Sequence, residues 1–306
     1  LVLFEVLLVI LVFLAVALVA GNNLSACVGP AVGARILSKR AGALLGAAGF
    51  SAGLLIQGWG MANSIRNLMP NPNMQLSAAV LVVAVTIFII AQLARVPLSL
   101  SMSLVGLLAG VSIAGGLDGQ LSYMTKVVAM WFIAPVAAGI LAFCLIRYLN
   151  SRKPKNIWQT IRFYKVLLII LAFTAAYTLG ANTLGLIVAT AGFNWATVSV
   201  GVIAVFVGTF FLGEGAIRRV GEEFYLMRYS NATVALAAST ILVEAAALLN
   251  IPLSNTQTTT AAVFGAGVSY KSKFLSLKPY IIIVLGWVAA PLLSFIIGYF
   301  LISAYL

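Results

Sequence analysis

The chain has 306 residues, of which 63% are apolar and 8% charged, with a formal net charge of +12, two cysteines and no histidine. A mean hydropathy of +1.13 belongs to a bilayer protein rather than a soluble core. The missing histidine removes the commonest proton shuttle and metal ligand, and Cys27 and Cys144 lie in apolar surroundings that suggest neither a disulfide framework nor a metal set. No paired aspartates or metal ligands are visible for intramembrane hydrolysis, so the composition points to a carrier and away from an enzyme.

In chain order, Leu1 to Ala20 is apolar for longer than a signal-peptide core and shows no small-residue cleavage site, so it reads as a span. Further crossings are expected at 41–60, 76–95, 97–114 and 123–148, with 22–36 as a re-entrant piece. The only long polar run, Asn150 to Gln159, then acts as a linker. Beyond it the crossings are expected at 163–180, 194–212, 229–249, 252–268 and 279–305, with 182–192 re-entrant.

The two halves repeat each other. Gly21-Asn22-Asn23 recurs as Gly180-Ala181-Asn182, and Pro97-Leu98-Ser99 as Pro252-Leu253-Ser254. Ala109-Gly110-Val111-Ser112 recurs as Ala266-Gly267-Val268-Ser269, and Trp131…Pro135 as Trp287…Pro291. Four landmarks in one order, offset by 155 to 159 residues, mark an internal duplication. The predicted fold is therefore all-α and membrane-integral, with a first repeat over 1–149, a cytoplasmic linker over 150–162 and a second repeat over 163–306. Five crossings per half is an odd number, so the second repeat inserts inverted. With the linker inside, sixteen of the eighteen basic residues fall on inside segments, Arg66 and Lys126 being the exceptions. This places both termini outside and makes the positive charge a topology signal spread over separate loops, not a nucleic-acid face. The expected location is the plasma membrane.

The polar breaks carry the chemistry. Hydrocarbon punishes unpaired polar groups, so hydroxyl- and amide-rich breaks in matching places of two halves point to a transporter's binding site. Where a helix starts, free backbone N–H groups and the helix dipole favour an anion. Pro97 and Pro252 suit a first helical turn. The anion-binding candidates are Asn23, Ser99, Ser101, Asn182, Ser254 and Thr256, with Asn22, Ser25, Thr183, Asn255 and Gln257 as secondary candidates. Ser103, Thr258 and Thr259 are weaker still, since Ser and Thr also make ordinary caps and interhelical bonds in membranes.

On these elements the chain resembles the inorganic phosphate transporter (PiT) superfamily, including its sulfate-permease branch. That superfamily carries a Gly-Ala-Asn-Asp-type element and a later Pro-(Val/Ile/Leu)-Ser-Thr-(Thr/Ser) element in each repeat. The counterparts here are Gly21-Asn22-Asn23-Leu24, Gly180-Ala181-Asn182-Thr183, Pro97-Leu98-Ser99-Leu100-Ser101 and Pro252-Leu253-Ser254-Asn255-Thr256-Gln257. The stretch Gly265 to Lys271 resembles the sulfate-permease branch. The resemblance implies inverted halves, an oxyanion site between them, cation-coupled uptake and a homodimer. Leu24 and Thr183 stand where the family's aspartates help bind sodium, so the coupling ion, sodium or proton, stays open. Because the motif segments hold no Asp or Glu to accept a phosphate proton, the residues lean toward sulfate over phosphate.

Of the six acids, Asp118, Glu214, Glu222 and Glu223 read as solvated or locally paired, and Glu5 as an outer-end residue. Glu244 sits in the apolar run Ile241–Ala247, two turns before Pro252, and is the candidate to carry a proton with the anion. Arg95 reads as a topology anchor beside the first Pro-Leu-Ser element. The rival reading is a ten-helix carrier of the drug/metabolite type, whose helices would run unbroken through 97–101 and 252–256.

Overall fold

The computed structural model describes residues 2–70, 73–93, 98–116, 120–151, 156–213, 229–269 and 278–303. Among them all regular structure is helical. Seven helices are long and apolar enough to cross a membrane, and a bent pair makes an eighth. Arg95, Pro97, Asp118, Glu214, Glu222, Glu223 and residues 152–155 of the linker lie outside the described residues.

The first repeat opens with α1 (Val2–Gly33), one continuous helix that carries Asn22 and Asn23 in its body. The expected re-entrant piece at 22–36 is therefore not separate: an α-helix satisfies its own backbone, so the polar residues ride on it without breaking it. Arg35, with φ 55°, ends the helix through bonds from its N–H to Val32 O and from Ile36 N–H to Ala31 O. Helix α2 (Lys39–Ile56) is capped by Ser38. It continues after a 3₁₀ turn into α3 (Met61–Leu68), bent by 50° at the break. Next come α4 (Met74–Leu93), the short α5 (Leu100–Ala114) and the long α6 (Leu121–Ser151).

The second repeat begins with α7 (Ile157–Leu179), a π-helical turn at Gly180–Leu184 and α8 (Gly185–Thr190), which join as one span. This corrects the expected re-entrant 182–192 as well: the helix widens at Gly180-Ala181-Asn182-Thr183-Leu184 but does not stop. Helix α9 (Trp195–Val207) also ends in a π turn, at Gly208–Leu212. Then follow α10 (Tyr229–Leu248), the short α11 (Asn255–Val268) and α12 (Lys278–Ser303). At 15 and 14 residues, α5 and α11 span only about 21–23 Å at ~1.5 Å per residue, less than the ~30 Å hydrocarbon core. Each starts inside the protein rather than crossing it alone.

The repeats pack by exchange. Helix α5 lies on α12 while its counterpart α11 lies on α6, and α1 lies on α9 while α7 lies on α2; within each repeat, α4 lies on α1 as α10 lies on α7. In lipid there is no hydrophobic drive between helices, so close approach of small residues supplies the attraction. A Cβ on Gly180 would stand 2.1 Å from Phe50 O, and one on Gly208 2.2 Å from Ala17 O. Each π turn thus opens with a glycine pressed on the backbone of the other repeat.

Candidate functional site

The second break is built from its backbone outward. Helix α10 ends at Leu248 and is closed by a turn at Asn250, whose φ of 55° suits an asparagine, with Asn250 N–H bonded to Ala247 O and Ile251 N–H to Ala246 O. Pro252 cannot continue that helix, and α11 restarts only at Asn255 with Ser254 as its N-cap. The intervening peptide groups are buried and need partners.

Those partners come almost entirely from elsewhere in the molecule. Asn182, fully buried in the π turn, donates Nδ2–H to Ile251 O at 2.9 Å and accepts Leu253 N–H on Oδ1 at 2.9 Å. Its amide brackets Pro252, the one residue there without an N–H. The Trp131 indole N–H of α6 donates to Pro252 O at 3.1 Å, and the hydroxyls of Ser64 (α3) and Tyr123 (α6) both donate to Asn250 O. Three first-repeat donors, Ser64, Tyr123 and Trp131, and one second-repeat amide, Asn182, therefore hold the second-repeat break. Asn182, expected as an anion ligand, has one bond from each end of its amide to the 251–253 backbone. The tryptophan was legible only as a repeat landmark, while Ser64 and Tyr123 gave no sequence signal because their target is backbone 127 or more residues away.

The motif hydroxyls pair within each copy. Ser99 Oγ and Ser101 Oγ are 2.9 Å apart, and Ser254 Oγ and Thr256 Oγ1 are 3.0 Å apart. In each pair one member is deeply buried (Ser101, Ser254) and the other half-buried (Ser99, Thr256). Ser254 Oγ also accepts Gln257 N–H at 3.4 Å, whereas Ser99, the N-cap of α5, makes no side-chain cap. Neither pair is hydrogen-bonded to the other, so an anion reaching both would bridge two separately closed hydroxyl pairs at two helix starts.

Around α11 the other candidates fall into place. Asn255 is buried against α1, its Nδ2 3.7 Å from Cys27 Sγ and its Oδ1 without a partner. Gln257 is buried with Oε1 unpartnered, and Thr258 turns its hydroxyl back onto Ser254 O and Asn255 O. On α1, Asn23 is buried and donates to Val19 O of its own helix at 3.0 Å, and Ser25 donates to Asn22 O at 3.3 Å. Asn22 is exposed although Gly21 and residues 23–25 are buried. Thr183 is buried beside Asn182 in the π turn. Glu244, on α10, is half-buried with Oε2 unpartnered and within electrostatic reach of the Tyr177 hydroxyl on α7. Among the described residues there is no group of three or more His, Cys, Asp or Glu that could hold a metal ion.

The non-helical stretch before α11 contradicts the unbroken helices that a drug/metabolite-type carrier would have. The comparisons agree. A solved structure described as "The sodium-dependent phosphate transporter" superposes with a TM-score of 0.85 at 17% identity, over 99% of this chain and all of that one, which shows a shared fold. A Methanocaldococcus jannaschii protein named as a phosphate permease is 23% identical over 222 residues, 72% of each chain. The Bacillus subtilis sulfate permease CysP is 26% identical over 304 residues, 94% of this chain and 84% of that one. The Xenopus tropicalis sodium-dependent phosphate transporter 2 is 28% identical over 231 residues, 64% of this chain and 35% of its own length. The profile of the Phosphate transporter family matches residues 19–162 and 149–298, nearly the whole molecule, and the chain belongs to that family as a multi-pass membrane protein.

Proposed function

We propose that this protein carries a tetrahedral inorganic oxyanion across the membrane, with phosphate as the preferred substrate. The observation that carries this reading is the matched pair of hydroxyl clusters, Ser99–Ser101 and Ser254–Thr256, each at the start of a short helix, where helix N-termini favour an anion. The family and the relatives named for phosphate reverse the lean toward sulfate drawn from the missing carboxylates. A local feature supports the same order. Asn255 Oδ1 is a buried acceptor with no donor, next to Ser254 and Thr256. Monohydrogen phosphate brings a proton for such an acceptor and sulfate brings none. Sulfate is the second reading, favoured by the match to a sulfate permease over 94% of this chain.

The mechanism we propose is alternating access between a first repeat over 1–149 and an inverted second repeat over 163–306, joined by a cytoplasmic linker over 150–162. The termini lie outside, the location is the plasma membrane and the working unit is a homodimer. Ser99, Ser101, Ser254 and Thr256 bind the anion, Asn182 and Asn23 position the helices around it, and one group of helices rocks against the other. Uptake of a dianion against a negative-inside potential needs more than two positive charges moved with it for net drive. Sodium on neutral oxygens and a proton on Glu244 are the two coupling routes. The deciding experiment is uptake of radiolabelled phosphate and sulfate into proteoliposomes under separate sodium and proton gradients. Phosphate uptake competed poorly by sulfate, and lost in Ser99→Ala with Ser254→Ala, is expected. Flux of neither anion would refute the substrate assignment.

A further inference from the structure

A cavity of about 370 Å³ lies between α6 and α12, floored by α5 and the first turn of α11. That volume falls at the low end of the ~300–1,000 Å³ range of ligand pockets. Both copies of the Trp…Pro landmark line it, Trp131 from α6 and Trp287 from α12. Its rim includes Phe132 and Leu292, 61% and 57% exposed on helices that are long and apolar enough to span, so it opens sideways toward hydrocarbon. The walls carry no charged residue, and apart from the two indoles the single polar side chain is Gln257.

Gln257 is 2% exposed and its Oε1 has no partner, while the Trp131 N–H is already spent on Pro252 O. Leaving a buried acceptor unmade costs about 1–3 kcal/mol. A buried water typically makes about three hydrogen bonds, and beyond Gln257 and the Trp287 indole the lining side chains have no free polar group to offer one. The donor must therefore arrive on an apolar carrier. A phosphate or ammonium head is disfavoured, because burying it against uncharged walls costs several kcal/mol. An amide can turn to offer either its oxygen or its N–H, and a hydroxyl meets both.

We propose that this groove binds a neutral lipid with a hydroxyl head, its acyl chain along Trp131 and Trp287 and its hydroxyl on the Gln257 amide. The Gln257 backbone N–H is the one capped by Ser254, so occupancy acts directly on the first turn of α11. The site stands whichever anion is carried.

The test uses the full chain in phosphatidylcholine nanodiscs with Trp59, Trp158 and Trp195 replaced by Phe, leaving the two groove tryptophans as reporters. Quenching is titrated with a monoacylglycerol bearing a brominated chain and, separately, with brominated phosphatidylcholine. Saturable quenching by the monoacylglycerol, at a mole fraction where the phospholipid barely quenches, is expected. Gln257→Leu should weaken it about fivefold, the worth of one net hydrogen bond. Ala109→Phe, which fills the groove from α5, should remove the saturable part, and a melting curve confirms that each variant is folded. Equal, non-saturating quenching by both lipids overturns the proposal, as does unchanged affinity in folded Gln257→Leu. Absence of quenching by either lipid also overturns it, because the groove is then covered by protein.

Discussion

The two copies of the Gly-Asn element share a sequence pattern and differ in structure. Around Asn23 the backbone is ordinary α-helix and the side chain folds back onto Val19 O of the same helix. Around Asn182 the helix opens into a π turn and the amide reaches 69 and 71 residues along the chain to bracket Pro252. The helix starts differ in the same sense: Ser254 caps α11 and Ser99 leaves α5 uncapped. Duplication thus supplies equivalent groups, and tertiary partners decide which copy is pinned. Two repeats held in unequal arrangements are what alternating access requires of a duplicated carrier, since each state of the cycle exchanges their roles.

The comparison breaks first at the asparagines. Asn182→Ala leaves Leu253 N–H and Ile251 C=O buried without partners, at ~1–3 kcal/mol for each orphaned group, and should give the largest fall in melting temperature together with loss of uptake. Asn23→Ala removes one bond within a helix and should shift melting far less. Equal losses in the two variants, measured by thermal unfolding in detergent, would sink the idea that only the second copy is clamped.

The serines come next. Ser254→Ala forfeits a cap worth about 1 kcal/mol and the bond to Thr256, so both stability and uptake should drop. Ser99→Ala forfeits only the bond to Ser101, so uptake should drop with little change in melting. Loss of stability in both would show that the two helix starts are equivalent after all.

A smaller effect is expected from Trp131→Phe, which keeps the ring packing and deletes the donor to Pro252 O, for roughly 1 kcal/mol. Uptake should slow and recover in part on cooling.

Glu244→Gln should leave melting nearly unchanged, because Oε2 has no partner to lose. If Glu244 carries the coupling proton, uptake under a proton gradient should vanish in this variant while any sodium-driven uptake persists. Unaltered proton-driven uptake removes Glu244 from the mechanism.

Much of the fold was legible in the chain. The duplication, the stop at Asn250-Ile251-Pro252 and the hydroxyl pairs at the two Pro-Leu-Ser elements follow from spacing, from the missing proline N–H and from helix-start chemistry. The re-entrant segments after residues 20 and 180 were misread, because a polar Gly-Asn run looks the same in sequence whether the helix ends, continues or widens by one residue. Asn182 was read as an anion ligand, and the structure shows its amide bonded to the 251–253 backbone. Its residue type announces an amide that must be satisfied in the membrane, but whether an anion or a backbone satisfies it depends on which loop lies opposite.

Composition and periodicity by themselves determined that this chain enters a bilayer as two similar halves with paired polar helix starts, since hydrocarbon enforces those features residue by residue. Only the tertiary structure decided that Ser64, Tyr123, Trp131 and Asn182 converge on four residues of backbone, and that the groove above them keeps one amide oxygen unsatisfied. The reason is physical: a side chain's need for a hydrogen bond is local, and the partner that meets it is set by which distant helices pack against it.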